Sequence, residues 1–357
     1  MTVFLVGLES HEQRYTGEWD RHLPVQLQKN IAEPVVVIAG TEAQQIVTSG
    51  AFLNFAGTNV FKARQVEQIG ALFECGDVKS GDTFLFTDAW HFGIPTVRYM
   101  SDLLHVPVRI VGLWHAGQYD PHDFLGRIEN REWAAHFEKS IFAACDVNVF
   151  ATEFHIDMFI RSHGILSRDR TVRTGWPMEY LPTALSRYHD PIKHKLVLFP
   201  HRLAPEKQVE IFRDLALAFP GYDFRVCQDL QLTKAEYHAL LAQAVALFSA
   251  SLQETLGIGL YEGLLCGAMP IAPDRLSYSE MYPSDLLYPS LWTESWHAYQ
   301  THKSQLIAHI GRALSVADTD GWRARSQALA DRIGDKFFKG LDLYAAVRSS
   351  SSSPRNR

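Results

Sequence analysis

Short apolar runs and helix-periodic segments alternate along nearly the whole chain, and this alternation restricts the possible folds more than any other feature. Strands are expected at 2–8, 35–40, 82–88, 108–114, 146–152, 195–200, 222–227, 244–250 and 268–273, each rich in Val, Ile, Leu or Phe and bounded by Gly, Pro, Asp or His. The runs are continuous rather than alternating, which predicts strands covered on both faces of a parallel sheet. Between them, 91–105, 132–144, 153–164, 206–219, 234–244 and 259–267 place apolar residues at three- and four-residue spacing, as amphipathic helices do. Strand–helix alternation of this kind predicts an α/β protein with right-handed crossovers.

At 357 residues the chain is too long for one ordinary core, so two domains are expected. The segment 175–194, with three prolines and little periodicity, reads as the boundary. The expected division is 1–185 and 195–335. Two last helices, 303–316 and 319–348, follow, and 336–348 is a candidate crossover back to the first half. The tail 349–357 reads as low-complexity and disordered. No apolar run reaches the roughly 20 residues a membrane span needs, and the amino terminus lacks a signal-peptide pattern, so a cytoplasmic protein is expected. Four widely spaced cysteines form no CxxC pair and read as buried free thiols.

Net charge argues against a protein that lives by phosphate contacts. The formal charge is −6, and residues 1–190 carry 16 basic against 23 acidic side chains. One local exception is RSHGILSRDRTVR, where Arg161, Arg168, Arg170 and Arg173 face a single Asp169.

In open α/β sheets ligands bind beyond the carboxyl ends of the strands, and four expected strand exits carry chemistry. One ends in Thr87, Asp88 and His91, and the next in His115 and Gln118. A third, HRLAPEKQ, holds His201, Arg202 and Lys207. Pro205 there suits a first helical turn, and the two cations could hold a diphosphate at a helix start. The fourth is QETLGIGLYEGLLCGAMPIAP, residues 253–273. Its Gly257 and Gly259 open a helix, where free backbone N–H groups bind anions. Glu254 precedes that turn, and Glu262 lies one turn inside a helix whose neighbours are apolar, where an idle carboxylate is costly. The bland alternatives are a capping Glu254, a surface Glu262 and a solvated HRLAPEKQ loop. Metal binding by Asp88, His91 and His115 is the weaker reading of that group, and no metal site is expected.

QETLGIGLYEGLLCGAMPIAP, with seven residues between its glutamates, resembles the donor-site signature of retaining GT-B glycosyltransferases of the family 4 type. HRLAPEKQ resembles that family's RLxxEK diphosphate motif. Within the family the chain looks most like the enzymes that mannosylate queuosine in tRNA, through His201-Arg202, CGAMPIAPDRLSYSEMYP and His115-Ala-Gly-Gln118. The resemblance covers about 110–285; the first hundred residues do not match, and GLESHEQRYTGEW stands where the family has a glycine-rich loop.

The resemblance implies a GT-B fold, two Rossmann-like domains facing across a cleft. It implies a metal-independent transferase without a cofactor, using a UDP- or GDP-linked sugar as co-substrate. Arg202 and Lys207 would neutralise the leaving diphosphate. Glu254 would contact the donor sugar, and backbone at Leu256, Gly257, Ile258 and Gly259 would hold sugar and phosphate. Glu262 would bind the ribose, and His115 would lie beside the reacting sugar. Acceptor-side candidates are Asp88, His91, Gln118, Arg168, Arg170 and Arg173. The acceptor first in line is a modified nucleobase in tRNA or DNA; an envelope glycan, a lipid or a small molecule competes. A sugar-nucleotide epimerase and a catalytically idle binding protein are the remaining alternatives.

Overall fold

The computed structural model describes residues 1–11, 14–41, 48, 53–188 and 192–348; the expected disordered tail lies outside the described residues. The chain divides into two compact units, Met1–Pro177 joined by the stretch from Gly340, and Met178–Lys339. The division therefore falls at 177/178, ahead of the expected 185. The short helix that follows it, Tyr180–Leu185, sits in the second unit because Leu181 and Leu185 are buried there.

The first unit is a six-stranded sheet of β1 (Val3–Val6), β2 (Val35–Ile38), β3 (Thr83–Phe86), β4 (Arg109–Trp114), β5 (Val147–Phe150) and β6 (Thr171–Arg173), in the order β2-β1-β3-β4-β5-β6. Every pairing is parallel. Its helices are α1 (Tyr15–Asn30), α2 (Gly57–Glu74), α3 (Gly93–Leu103), α4 (Glu132–Ala144) and α5 (Glu153–His163). The core sits where sheet and helices meet. Phe84 stacks on Phe4 at 4.8 Å, and Phe159 packs against Trp114 at 4.6 Å. Each such ring, fully buried, contributes about 1.5–3 kcal/mol of apolar transfer.

The second unit begins with α6 (Tyr180–Leu185). Its sheet comprises β7 (His194–Phe199), β8 (Asp223–Val226), β9 (Ala244–Phe248), β10 (Met269–Pro273) and β11 (Leu287–Tyr288), all parallel, in the order β11-β10-β9-β7-β8. Around it lie α7 (Val209–Ala216), α8 (Lys234–Gln243), α9 (Ile258–Leu265), α10 (Tyr278–Met281), α11 (Trp296–Val316) and α12 (Asp320–Ile333). In each unit the strand order reverses once, between β1 and β3 and between β7 and β9. The sheet topology thus marks one switch point per unit.

The structure departs from the sequence reading in several places. Helices α1 and α2 were not expected. The buried stripe of α2, Phe61–Gln65–Ile69–Phe73, contains a glutamine, and α1 contains Pro24, so neither shows a clean apolar period. Strand β2 lies at the sheet edge, and its Val36 and Val37 are exposed rather than covered. The expected helix 319–348 breaks after α12 into a π-helical turn, Gly334–Phe338, where Phe338 stacks on Tyr261 at 3.8 Å. The chain then forms α13 (Leu341–Val347), which belongs to the first unit: the Arg109 guanidinium donates to the Ala346 carbonyl at 2.9 Å. All four cysteines are free, but Cys75 is exposed. Among the described residues no helix is long and apolar enough to cross a membrane.

Candidate functional site

In the second unit the strongest concentration of chemistry lies at the exits of β7 and β9, the two strands that flank the switch point. Beyond β7 the chain does not enter a helix at once. Pro205–Lys207 forms a 3-10 turn, Gln208 adopts a left-handed conformation (φ 53°), and only then does α7 begin. Lys207 was expected in the first turn of that helix. Gln208 explains the delay, since its buried amide donates to the carbonyls of Ala250 and Thr293 at 2.6 and 2.7 Å and ties this turn to the exit of β9. The Leu252 N–H donates to the Glu206 carbonyl at 2.8 Å from the other side.

These ties set Lys207 against Glu254. The Lys207 ammonium, 4% exposed, donates to Glu254 Oε2 at 3.0 Å and to the Gln253 carbonyl. Burial alone would raise the Glu254 pKa, but Lys207, the neighbouring His201 and the Gly257 N–H more than offset it, and the carboxyl is held below its ordinary range. His201 Nδ1 lies 3.6 Å from Glu254 Oε2. Burial, with Lys207 beside it, pulls the imidazole down to about 3, so His201 is neutral. Arg202 is paired with the buried Glu206. The turn that follows has one conformational requirement. Gly257 is left-handed (φ 65°), and a Cβ there would meet the Tyr278 ring at 2.7 Å, so only glycine fits. Leu256 is buried and offers only its backbone. Ile258 and Gly259 open α9, where N–H groups have no intrahelical acceptor. Glu262, one turn on, accepts from the Tyr237 hydroxyl at 3.2 Å, and His238 Nε2 lies 3.8 Å from its other oxygen.

The first unit gathers a second polar group around the exits of β3 and β4. Lys62 on α2 binds Asp88 at 2.8 Å. Burial would raise the Asp88 pKa, but Lys62 and His115 together lower it to about 2. His115 Nε2 faces the Thr87 carbonyl at 2.6 Å and so carries the proton, which leaves Nδ1 to accept from the Tyr15 hydroxyl at 3.1 Å. Burial dominates the lowering of its pKa. Trp176 packs on His115 and Tyr15 at 4.8 and 5.1 Å.

His91 does not join this group. Its Nε2 donates to Gln65 Oε1 at 3.0 Å, its Nδ1 accepts from the Gly93 N–H at 2.9 Å, and Gln65 in turn holds the carbonyls of Gly7 and Ile38. Both nitrogens are taken, Nε2 by the Gln65 link to the exits of β1 and β2 and Nδ1 by the start of α3, and burial holds the ring at about 3. Gln118 is positioned by a residue that sequence reasoning missed. Its N–H donates to Glu138 Oε1 at 2.5 Å, and the same buried carboxylate accepts from Trp90 Nε1 at 2.6 Å and pairs with His163 at 2.8 Å. A signal existed, because Glu138 interrupts the apolar stripe of α4 between Ala134 and Ile141. This contact also explains Gly117, where a Cβ would collide with the Glu138 carboxylate and the Trp90 indole. Gly117→Ala is expected to cost about 1–3 kcal/mol by overpacking, measurable as a lowered urea midpoint; an unchanged midpoint would refute this contact.

The arginine patch is largely compensated. Arg168 pairs with Glu153 and Asp157, Arg173 lies 3.6 Å from Asp342, and Arg170 donates to the Ala143 carbonyl at 3.0 Å. Carboxylates neighbouring in space but not in sequence thus offset part of the charge at Arg168 and Arg173. Among the described residues no group of three His, Cys, Asp or Glu is placed to hold a metal ion. Lys62, Tyr15 and Tyr237 gave no sequence signal.

No family model matches the chain. A stretch of 57 residues is 37% identical to the tRNA-queuosine alpha-mannosyltransferase of Drosophila melanogaster, covering 16% of this chain and 15% of that protein. Among solved structures, the sucrose-phosphate synthase of Thermosynechococcus elongatus matches with a TM-score of 0.61 at 13% identity, over 97% of this chain and 96% of that one. The Anabaena protein HepE, solved in complex with UDP and glucose, matches with 0.57 at 14% identity, over 98% and 100%. The GtfA/B complex matches with 0.51 at 15% identity over 79% of this chain, which spans 60% of the matched chain. The structural neighbours are GT-B glycosyltransferases, and the α/β fold of two Rossmann-like domains is theirs.

Proposed function

We propose that the protein is a retaining, metal-independent glycosyltransferase of the family 4 type, acting in the cytoplasm on a UDP- or GDP-linked sugar. The observation that carries this reading is the pair of buried Lys207 and half-buried Glu254 between the exits of β7 and β9, with Glu262 fixed one turn inside the helix that follows. In this reading Lys207 and Arg202 stabilise the departing diphosphate, which needs fixed positive charge as the C1–O bond breaks. The N–H groups opening α9 add donors for the same phosphates. Glu254, kept ionised by Lys207, accepts from a hydroxyl of the donor sugar, and Glu262 accepts from the ribose. The electron pair of the broken bond goes to the phosphate oxygen. That oxygen then takes the acceptor's proton as the new C1–O bond forms on the same face, so no second carboxylate is required as nucleophile. The resemblance assigns His115 a contact with the reacting sugar; in the first unit its ring is held as the Nε2–H tautomer.

The acceptor we place first is a modified nucleobase in tRNA or DNA, supported by the 57-residue likeness. The compensated arginines favour the second reading, a glycan, lipid or small-molecule acceptor. Nucleotide release from a panel of UDP- and GDP-sugars, with and without bulk tRNA and hydroxymethylated DNA, tests both. Release stimulated by one nucleic acid, unaffected by EDTA and giving a product with the donor's anomeric configuration, is the expected result. Release indifferent to both nucleic acids moves the acceptor to the second class. No turnover of any donor refutes the transferase reading.

A further inference from the structure

Glu262 is not held by the helix that carries it. Two consecutive residues of α8 approach its carboxylate, one at each oxygen: the Tyr237 hydroxyl donates to Oε2 at 3.2 Å, and His238 Nε2 lies 3.8 Å from Oε1. Glu262 is 9% exposed and His238 5%. The hydroxyl lies close against the start of α9, since a Cβ on Gly259 would come within 3.3 Å of it and 3.1 Å of Pro200. The exit of β7, helix α8 and the amino end of α9 therefore meet beside the Tyr237 hydroxyl that holds this carboxylate. A glutamate with one such donor keeps a fixed carboxylate plane and retains lone pairs for further donors. A site built around a satisfied, oriented acceptor discriminates strongly for a ligand that brings hydroxyl donors and against one that lacks them.

We infer that Tyr237 is a positioning residue for nucleotide recognition: it orients Glu262 toward the vicinal hydroxyls of the ribose, so that α8 sets the preference for ribonucleotides. The inference rests on the proposed role of Glu262. The Tyr237 phenol is suited to this, because burial and the adjacent Glu262 raise its pKa well above the ordinary value and keep it a donor.

The test is equilibrium binding of UDP, GDP and their 2′,3′-dideoxy counterparts to the wild type, Tyr237→Phe and Glu262→Ala. The wild type should bind one ribonucleotide at least tenfold more tightly than its dideoxy form. Tyr237→Phe should weaken that ribonucleotide about five- to tenfold, the scale of one charge-assisted hydrogen bond, and leave the dideoxy form unchanged. A loss of packing alone would weaken both equally, and that outcome, or full discrimination retained in Tyr237→Phe while Glu262→Ala loses it, overturns the role of Tyr237 alone. A wild type that does not discriminate, or binds neither nucleotide, overturns the ribose assignment of Glu262 and this inference with it.

Discussion

Lys207→Gln is expected to lower kcat/KM for the nucleotide sugar by about 10²–10³-fold, the scale on which one preorganised group at a developing charge acts. Two effects combine. The variant loses one of the two cations of the proposed diphosphate site, and it strips Glu254 of its main counter-charge. The glutamate stays half-buried, and desolvation is the influence that raises its pKa. With Lys207 present the folded-state pKa is depressed, so the ionised form persists as the pH falls through the ordinary carboxylate range. Without Lys207, Glu254 takes up a proton at higher pH, and the acid limb of kcat/KM moves upward. Removing the buried partner of this pair also destabilises the fold, by less than the roughly 3–5 kcal/mol of a fully buried pair because Glu254 keeps access to water. The rate is therefore measured at a temperature where circular dichroism shows the variant folded. A folded Lys207→Gln within threefold of the wild type, with an unmoved acid limb, would dismiss the assignment.

Acid should loosen both units well above the usual range of carboxylate titration. His91 in the first unit and His201 in the second are buried with pKa values near 3, burial being the largest cause in each. In the unfolded chain each titrates near 6.5. Between those limits the unfolded state binds a proton that the folded state does not, so stability falls as pH falls. At roughly 1.4 kcal/mol per pH unit for each proton, each histidine removes about 2 kcal/mol between pH 6.5 and 5. Asp88, with its pKa near 2, adds a loss in the same direction only below about pH 4. Amide exchange read separately in β3 and β9 should accelerate on going from pH 7 to 5, after correction for the intrinsic rate. His91→Gln should flatten the response of the first unit and His201→Gln that of the second. Opening free energies that do not change with pH would contradict the buried neutral histidines.

Much of this was readable one residue at a time. A continuous apolar run such as 244–250, short and bounded by polar residues, predicts a strand covered on both faces, and its exit then carries the polar chemistry that follows. That logic singled out Arg202, Lys207, Glu254 and Glu262 as candidates, and the structure adds that Gly257 between the two glutamates is left-handed. Where local pattern and burial disagreed, the sequence misled. The glutamine in the stripe of α2 hid a helix, and the run of arginines after Arg161 concealed that Glu153, Asp157 and Asp342 fold against two of them.

The sequence alone determined the α/β alternation and the presence of two units, because each depends on short-range periodicity and on residues close in the chain. Tertiary structure alone decided the partners: Glu138 under Gln118, Lys62 on Asp88, Tyr237 on Glu262, and His91 spent on holding strands together. A hydrogen bond or an ion pair is a contact between groups brought together by packing, here 20 to 26 residues apart in sequence. No spacing rule reaches that far, and only the folded sheets bring those groups together.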